Sequence, residues 1–303
     1  MDGSASQQLL RLHEAAGLAL LEFSDEKTGE RKTKWVATVS PSSDRRGAGR
    51  LDLKSDPLFL HGRGDSPDPF AKLGASMALP QTAVVALRAP LELPFGLGSS
   101  WVEDLDAAAE WREVLPAESH PPRSRSYYPA AVLTSTCLTS LDDARDYVRQ
   151  FLDALHSQFE WGYDRLFLFG FSQGAAVAFH VAMTLPPRVR LGGVVLVAGG
   201  ATAGPHTSAY SSSEEGAIAT PMLLLAGDRD TTFPLAMARE TQQMYTDRFS
   251  TGSRFQIEAV VGKQHGMLAS EREMRSVMGF FSEHLTLRDA ALEAHGDVIE
   301  LQT

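Results

Sequence analysis

The stretch Arg165 to Leu185, RLFLFGFSQGAAVAFHVAMTL, sets a serine between two glycines, Gly170-Phe171-Ser172-Gln173-Gly174, after an apolar run and before a helical one. A Gly-x-Ser-x-Gly turn from strand to helix makes a nucleophile. It holds the serine on a tight, strained bend with its hydroxyl aimed out of the sheet, and the flanking glycines lack the Cβ atoms that would collide there. In a chain with 25 glycines the five-residue pattern alone is weak, a small-residue turn packing helix on strand being its plain alternative. The flanking strand and helix give it weight. A serine hydroxyl attacks a carbonyl only when a base takes its proton and an acid orients that base. In this setting the partners follow in the order serine, acid, histidine. The run ending at Ala226 leads into GDRDTTFP, which offers Asp228 and Asp230, and the run ending at Val261 leads into GKQHGM, which offers His265. His156 and His180 fall within helical patterns, and His120, His206 and His295 in polar loops or the tail, whereas His265 stands between a strand end and a helix start, where the base belongs. Spacing does not choose between the two aspartates, because one of them can serve the turn by bonding backbone amides.

These residues need elements to position them. Short apolar runs bounded by Gly and Pro read as buried strands at Pro57–Gly62, Thr82–Pro90, Arg165–Gly170, Gly192–Gly200, Thr220–Asp228 and Arg254–Gly262. Helical periodicity fills the gaps. It is clearest over Leu141–Phe159, with Ser140 placed to cap it, and recurs at Gln173–Leu185, Leu235–Phe249 and Ser270–Leu285. Strands apolar on both faces and alternating with helices predict an α/β fold, a mostly parallel central sheet with helices on both faces, whose chemistry gathers at the carboxyl ends of the strands. There is no internal repeat. One domain over 51–285 is expected, preceded by an extension over 1–50 that includes a helix and is packed on or flexibly joined to the core, and followed by a tail over 286–303. The Ser- and Gly-rich stretch Gly199 to Gly216 reads as a flexible loop.

The segments LFLHGRGD, LRAP followed by SSWVEDLD, GFSQGAA, LLLAGDRDTTFP and GKQHGM resemble those of the acyl-protein thioesterase, or phospholipase/carboxylesterase, family of α/β-hydrolases, over roughly residues 58–285. The segments before and after this region are longer than the family norm. The resemblance implies the α/β-hydrolase fold and puts the acid at the second Asp of Gly-Asp-x-Asp, here Asp230. It also implies that the loop His61-Gly62-Arg63-Gly64-Asp65 gives a backbone amide to an oxyanion hole. The donors are then the N–H of Arg63 and the N–H of Gln173, which follows the nucleophile. Arg63 departs from the apolar residue often found there. In Ala89–Trp101, APLELPFGLGSSW, the residues Leu91, Leu93, Phe95, Leu97 and Trp101 are expected either to line an acyl channel, as the corresponding region does in the family, or to pack the loop onto the core.

Bulk properties narrow the partners. With 28 basic and 38 acidic residues the net charge is −10, which repels phosphate backbones and anionic lipid, so no nucleic acid partner is expected. Cys137 is the single cysteine, so no intrachain disulfide forms, and it reads as an inert thiol. The apolar stretch at Ala15 is short and preceded by Arg11, His13 and Glu14, unlike a signal peptide or a span, and no lipid-bearing residue suggests a stable membrane anchor. A cytoplasmic location is expected. Arg63-Gly64-Asp65, which spells a cell-adhesion tripeptide, then reads as part of a catalytic loop. The sequence thus predicts a serine hydrolase with the set Ser172, Asp230 and His265, acting without metal or organic cofactor on a small-molecule or lipid-like acyl ester or thioester, or on an acylated protein. The alternative is a catalytically silent relative that binds a small apolar ligand.

Overall fold

A computed structural model describes residues 17–22, 34–40, 56–79, 82, 84–102, 141–159, 161–202, 210, 217–252 and 254–285. Cys137, Ser140, His120, His206, His295, the tail 286–303 and most of the Gly199–Gly216 stretch lie outside them.

Eight strands form the main sheet: β1 (Gly17–Glu22), β2 (Lys34–Ser40), β3 (Asp56–Leu60), β4 (Val84–Leu87), β7 (Leu166–Phe171), β8 (Gly193–Val197), β9 (Met222–Gly227) and β10 (Phe255–Val260). Their order is β1-β2-β4-β3-β7-β8-β9-β10, and the six from β4 to β10 run parallel. A separate hairpin joins β5 (Leu91–Glu92) to β6 (Ser99–Ser100). The described helices are α1 (Pro67–Ser76), α2 (Leu141–Phe159), α3 (Gln173–Met183), α4 (Leu235–Phe249) and α5 (Glu271–His284).

Because side chains alternate along a strand, each apolar run feeds two cores. Leu58, Leu60, Leu168, Val194, Leu196, Met222 and Leu224 face one layer, where α2, α3 and α4 pack. Phe59, Phe167, Phe169, Val195, Val197, Leu223 and Leu225 face the other, covered by α1 and α5.

Two features differ from the sequence-based expectation. The apolar stretch near the N-terminus, absent from the expected strand series, holds a strand: β1 pairs antiparallel with β2, from Gly17 opposite Val39 to Glu22 opposite Lys34, and β2 pairs antiparallel with β4. The local pattern does not reveal this, because the partner that makes the strand worthwhile is Trp35–Val39, a separate segment whose β-branched residues favour an extended ladder. Residues 17–22 and 34–40, within the expected extension over 1–50, are thus strands of the main sheet. The second is α1, which the expected element series omits. Pro67 opens it at a position where a missing N–H costs nothing.

Phe169 and Phe59 are both fully buried, on adjacent strands, with ring centroids 4.8 Å apart. Phe169→Ala should therefore destabilise the fold by about 3–5 kcal/mol in urea denaturation. A loss below about 1 kcal/mol would mean that the aromatic layer on β3 and β7 is not the packed core described here.

Candidate active site

Ser172 lies between the end of β7 and the start of α3 with φ 51° and ψ −118°, a region that non-glycine residues rarely adopt. The surroundings determine that conformation. Its N–H donates to Val197 O on β8 at 2.9 Å, and its carbonyl accepts from Ala175 N at 3.0 Å and Ala176 N at 3.1 Å. The bend is so close that a Cβ on Gly170 would stand 2.5 Å from Ala175 Cα, and one on Gly174 would stand 2.5 Å from His61 O. The first turn of α3 thus rests against the end of β3. The positive end of the helix dipole points toward the Ser172 hydroxyl region.

His265 occupies the loop between β10 and α5, half-buried, with the Phe171 ring centroid 5.6 Å from its own. Its Nε2 is 2.9 Å from Ser172 Oγ and its Nδ1 is 2.8 Å from Asp230 Oδ2. Asp230 has no exposed side-chain surface. Its other oxygen, Oδ1, accepts the N–H groups of Thr232 and Phe233, each at 2.8 Å. An ionised carboxylate can only accept, so Nδ1 carries the proton in neutral His265 and Nε2 presents its lone pair to the serine hydroxyl. The structure also separates the two aspartates. Asp228 is exposed and its carboxylate accepts from Gly262 N at 2.6 Å, fastening the turn after β9 to the turn after β10.

A buried ion pair that the sequence reading did not single out holds the histidine loop. Lys263 pairs with Glu273 at the start of α5, and its Nζ also donates to Met267 O at 2.6 Å. Lys263 O accepts from Arg229 N at 3.0 Å, tying the loop to the acid turn. Glu273 accepts from Ala269 N at 3.0 Å and Ser270 Oγ at 2.8 Å, while Ser270 Oγ accepts from Glu273 N at 3.3 Å. The signal was present as Ser270-Glu271-Arg272-Glu273, a capping box. Burial by itself raises the Glu273 pKa, but the hydrogen bonds from Lys263, Ala269 and Ser270 outweigh it and hold the carboxyl below its ordinary value.

The loop after β3 is fixed by His61, which is wholly buried. Its Nε2 accepts from Ala89 N at 3.0 Å, so the proton of the neutral ring is on Nδ1, which donates to Gly62 O at 2.7 Å. Burial is the main reason its pKa is lowered to about 4; the Gly62 contact opposes the shift and Arg88 adds to it. Gly62 O also accepts from Asp65 N at 3.2 Å. In a trans peptide the N–H points opposite to the C=O, so these two bonds fix the direction of the Arg63 N–H. The Arg63 side chain is exposed.

The residues expected along an acyl channel fall into three settings. Leu91 and Leu93 are half-buried in the β5–β6 hairpin, and Phe95 and Leu97 are 94% and 63% exposed at its tip. Trp101 follows the packing alternative and not the channel one. It has no exposed surface, its indole Nε1 donates to His61 O at 2.7 Å, and its ring meets those of His61 and Tyr147, so it supports the loop from within and offers no wall to a ligand. Among the described residues no group of three or more His, Cys, Asp or Glu side chains is placed to hold a metal ion, and no helix is long and apolar enough to cross a membrane.

The buried pair carries a pH signature. A carboxyl whose folded pKa is depressed adds stability above its unfolded pKa and loses it as pH falls through the folded value. Glu273→Gln should lower stability at neutral pH by about 3 kcal/mol, and the gap to the parent protein should narrow as the pH falls below the ordinary glutamate range. Thermal midpoints measured from neutral to acid pH give the answer, and a gap that stays constant would contradict the assignment.

Residues 138–285 match the sequence profile of the family described as Phospholipase/Carboxylesterase. The chain is 29% identical over 159 residues to an uncharacterized hydrolase of Mycosarcoma maydis, covering 51% of this chain and 52% of that protein. A Schizosaccharomyces pombe uncharacterized hydrolase is also 29% identical, over 140 residues, covering 45% and 49% respectively. The chain thus spans about half the length of the curated relatives it matches. Among solved structures, esterase PE8 aligns with a TM-score of 0.58 at 22% identity, covering 77% of this chain and 94% of that one. Zea mays acyl-protein thioesterase 2 aligns with a TM-score of 0.52 at 17% identity, covering 82% and 98%. Identities of this size speak to the fold. The mostly parallel sheet with helices on both faces is the α/β-hydrolase fold, and over residues 138–285 the chain is similar to the phospholipase/carboxylesterase family.

Proposed function

We propose that the protein is a serine hydrolase that cleaves carboxylic esters or thioesters through an acyl-enzyme. The observation that carries this reading is the unbroken hydrogen-bonded chain from Ser172 Oγ through His265 to a buried Asp230, with contacts of 2.9 and 2.8 Å. His265 Nε2 takes the Ser172 proton as Oγ bonds to the acyl carbon, and the carbonyl electron pair moves onto oxygen. The N–H groups of Arg63 and Gln173 stabilise that oxyanion, each such donor being worth about 10²–10³ in rate. As the tetrahedral intermediate collapses, the C–O or C–S bond breaks and His265 returns the proton to the leaving alcohol or thiol. Water then attacks the acyl-enzyme with His265 again as base, and the carboxylic acid leaves. Asp230 remains ionised throughout and stabilises the imidazolium.

Leu91, Leu93, Phe95 and Leu97 supply apolar surface on a hairpin joined to the loop of His61 to Asp65, which suits a medium or long acyl chain. A lipid-like ester or an acylated protein meets that requirement. A cytoplasmic location fits a chain with a single cysteine.

Labelling with a fluorophosphonate, followed by peptide mass spectrometry, tests the nucleophile. One label per chain at Ser172 is expected, with none in Ser172→Ala and a loss of at least about 10⁴-fold in ester turnover. Folded parent protein that stays unlabelled would overturn the reading and favour a ligand-binding role. The acid is tested separately: Asp230→Asn should lower kcat by about 10³–10⁴-fold by imposing the wrong imidazole tautomer. Asp228→Asn keeps an acceptor for Gly262 N and should stay within about 3-fold of the parent, so equal losses in the two variants would remove Asp230 from its role.

A further inference from the structure

The two oxyanion donors come from segments far apart in sequence, the loop after β3 and the start of α3, and a third segment ties them together. Residues 99–101 follow the hairpin tip and run alongside the His61–Asp65 loop. Gly64 N donates to Ser99 O at 2.9 Å, and Ser99 N donates to Asp65 O at 3.1 Å. Ser99 Oγ lies 3.1 Å from His61 Nε2, and the Trp101 indole donates to His61 O at 2.7 Å. Gly98 allows this approach, since a Cβ there would meet the Gly64 and Asp65 backbone. On its other side the same strap reaches the nucleophile elbow. Trp101 N donates to the side-chain oxygen of Gln173 at 2.8 Å. A backbone N–H can only donate, so the amide orientation is settled: Oε1 faces the strap. Ser100 Oγ lies 3.1 Å from the same oxygen and 2.7 Å from Val102 O.

We propose that Gln173 acts through both ends of the residue: its backbone N–H is an oxyanion donor, and its side-chain carbonyl is a positioning group that anchors the 99–101 strap and so sets the Arg63 N–H in register with its own. This rests on the hydrolase reading above. The chemistry requires such a device. An oxyanion is stabilised only when both donors lie at hydrogen-bond distance from one point, and a misplacement of about 1 Å costs on the order of 10²-fold. The strap provides the link without putting a side chain into the reacting space: Trp101 is fully buried and Gln173 only partly exposed. The relay through Asp230 and His265 does not use it.

The test compares the parent protein with Gln173→Met, which keeps the backbone donor and side-chain length but removes the acceptor, and with Trp101→Phe, which removes the indole donor to His61 O. The readouts are p-nitrophenyl acetate turnover and inhibition by an alkyl trifluoromethyl ketone, which forms a tetrahedral adduct on serine. Gln173→Met should lower kcat/KM by about 10–100-fold, mainly in kcat, and weaken trifluoromethyl ketone binding by a matching factor. Fluorophosphonate should still reach one label per chain, though more slowly. Trp101→Phe should show the same parallel losses, and the double variant should lose less than the product of the two, because both act through one strap. Gln173→Met within about 2-fold of the parent, or a fall in turnover with inhibitor affinity unchanged, overturns the proposal. If Gln173→Met does not fold, Trp101→Phe decides alone, and parent-like kinetics in it have the same meaning. Parent protein without Ser172-dependent turnover sinks the hydrolase reading and this proposal with it, whereas an active parent with an indifferent strap sinks only the proposal.

Discussion

A serine hydroxyl becomes a nucleophile only while an imidazole lone pair is held within hydrogen-bond reach of it, and the fold is organised around the 2.9 Å between Ser172 Oγ and His265 Nε2. The sheet alone does not provide that distance. Ser172 follows β7 and His265 follows β10, three strand positions away, which is roughly 14 Å at ordinary strand spacing. Each residue must therefore leave its strand in a controlled direction. Ser172 does so through a strained backbone conformation held by Val197, Ala175 and Ala176. His265 does so on a loop that returns toward β7.

That return is enforced by charge as well as backbone. The Lys263–Glu273 pair, nearly closed to solvent, pulls the loop onto α5, and the Arg229 N–H holds Lys263 O against the acid turn. Asp228 fastens the same two turns from the exposed side. A buried ion pair is a costly means of holding a loop, and here the cost is offset in part: Lys263 faces one Glu273 oxygen, Ala269 N and Ser270 Oγ donate to the other, and Met267 O accepts from the Lys263 ammonium. The His265 imidazole thus hangs between two turns, each tied to the other, while Asp230 sits inside with both oxygens occupied.

The loop on the opposite side of the serine is held by neutral groups. His61 is buried and uncharged down to a pKa of about 4, so its tautomer and the Gly62 peptide it fixes do not change over the ordinary pH range. The two sides use different physics. The histidine side relies on the Lys263–Glu273 pair, which responds to acid, whereas the His61 side relies on desolvated hydrogen bonds that do not.

The sequence by itself determined what depends on neighbours along the chain. The apolar runs that became β3, β4, β7, β8, β9 and β10, and the periodicities that became α2 to α5, are local patterns, as is the turn that sets Ser172 between strand and helix. His265 was legible because the loop between a strand and a helix could be read from the same patterns. Spacing left Asp228 and Asp230 open, and family resemblance favoured Asp230; in the structure the carboxylate within reach of His265 Nδ1 is that of Asp230, while that of Asp228 turns to Gly262. Only the tertiary structure decided the rest. The N-terminal run became a strand because it found Trp35–Val39, and of the two roles open to Trp101, packing and channel lining, the rings of His61 and Tyr147 that enclose it select packing. Lys263 met Glu273, and Trp101 met Gln173, across separations that no local pattern records. Pairing and burial depend on which distant segments share a surface, and that is fixed by packing the whole chain, not by the spacing of residues along it.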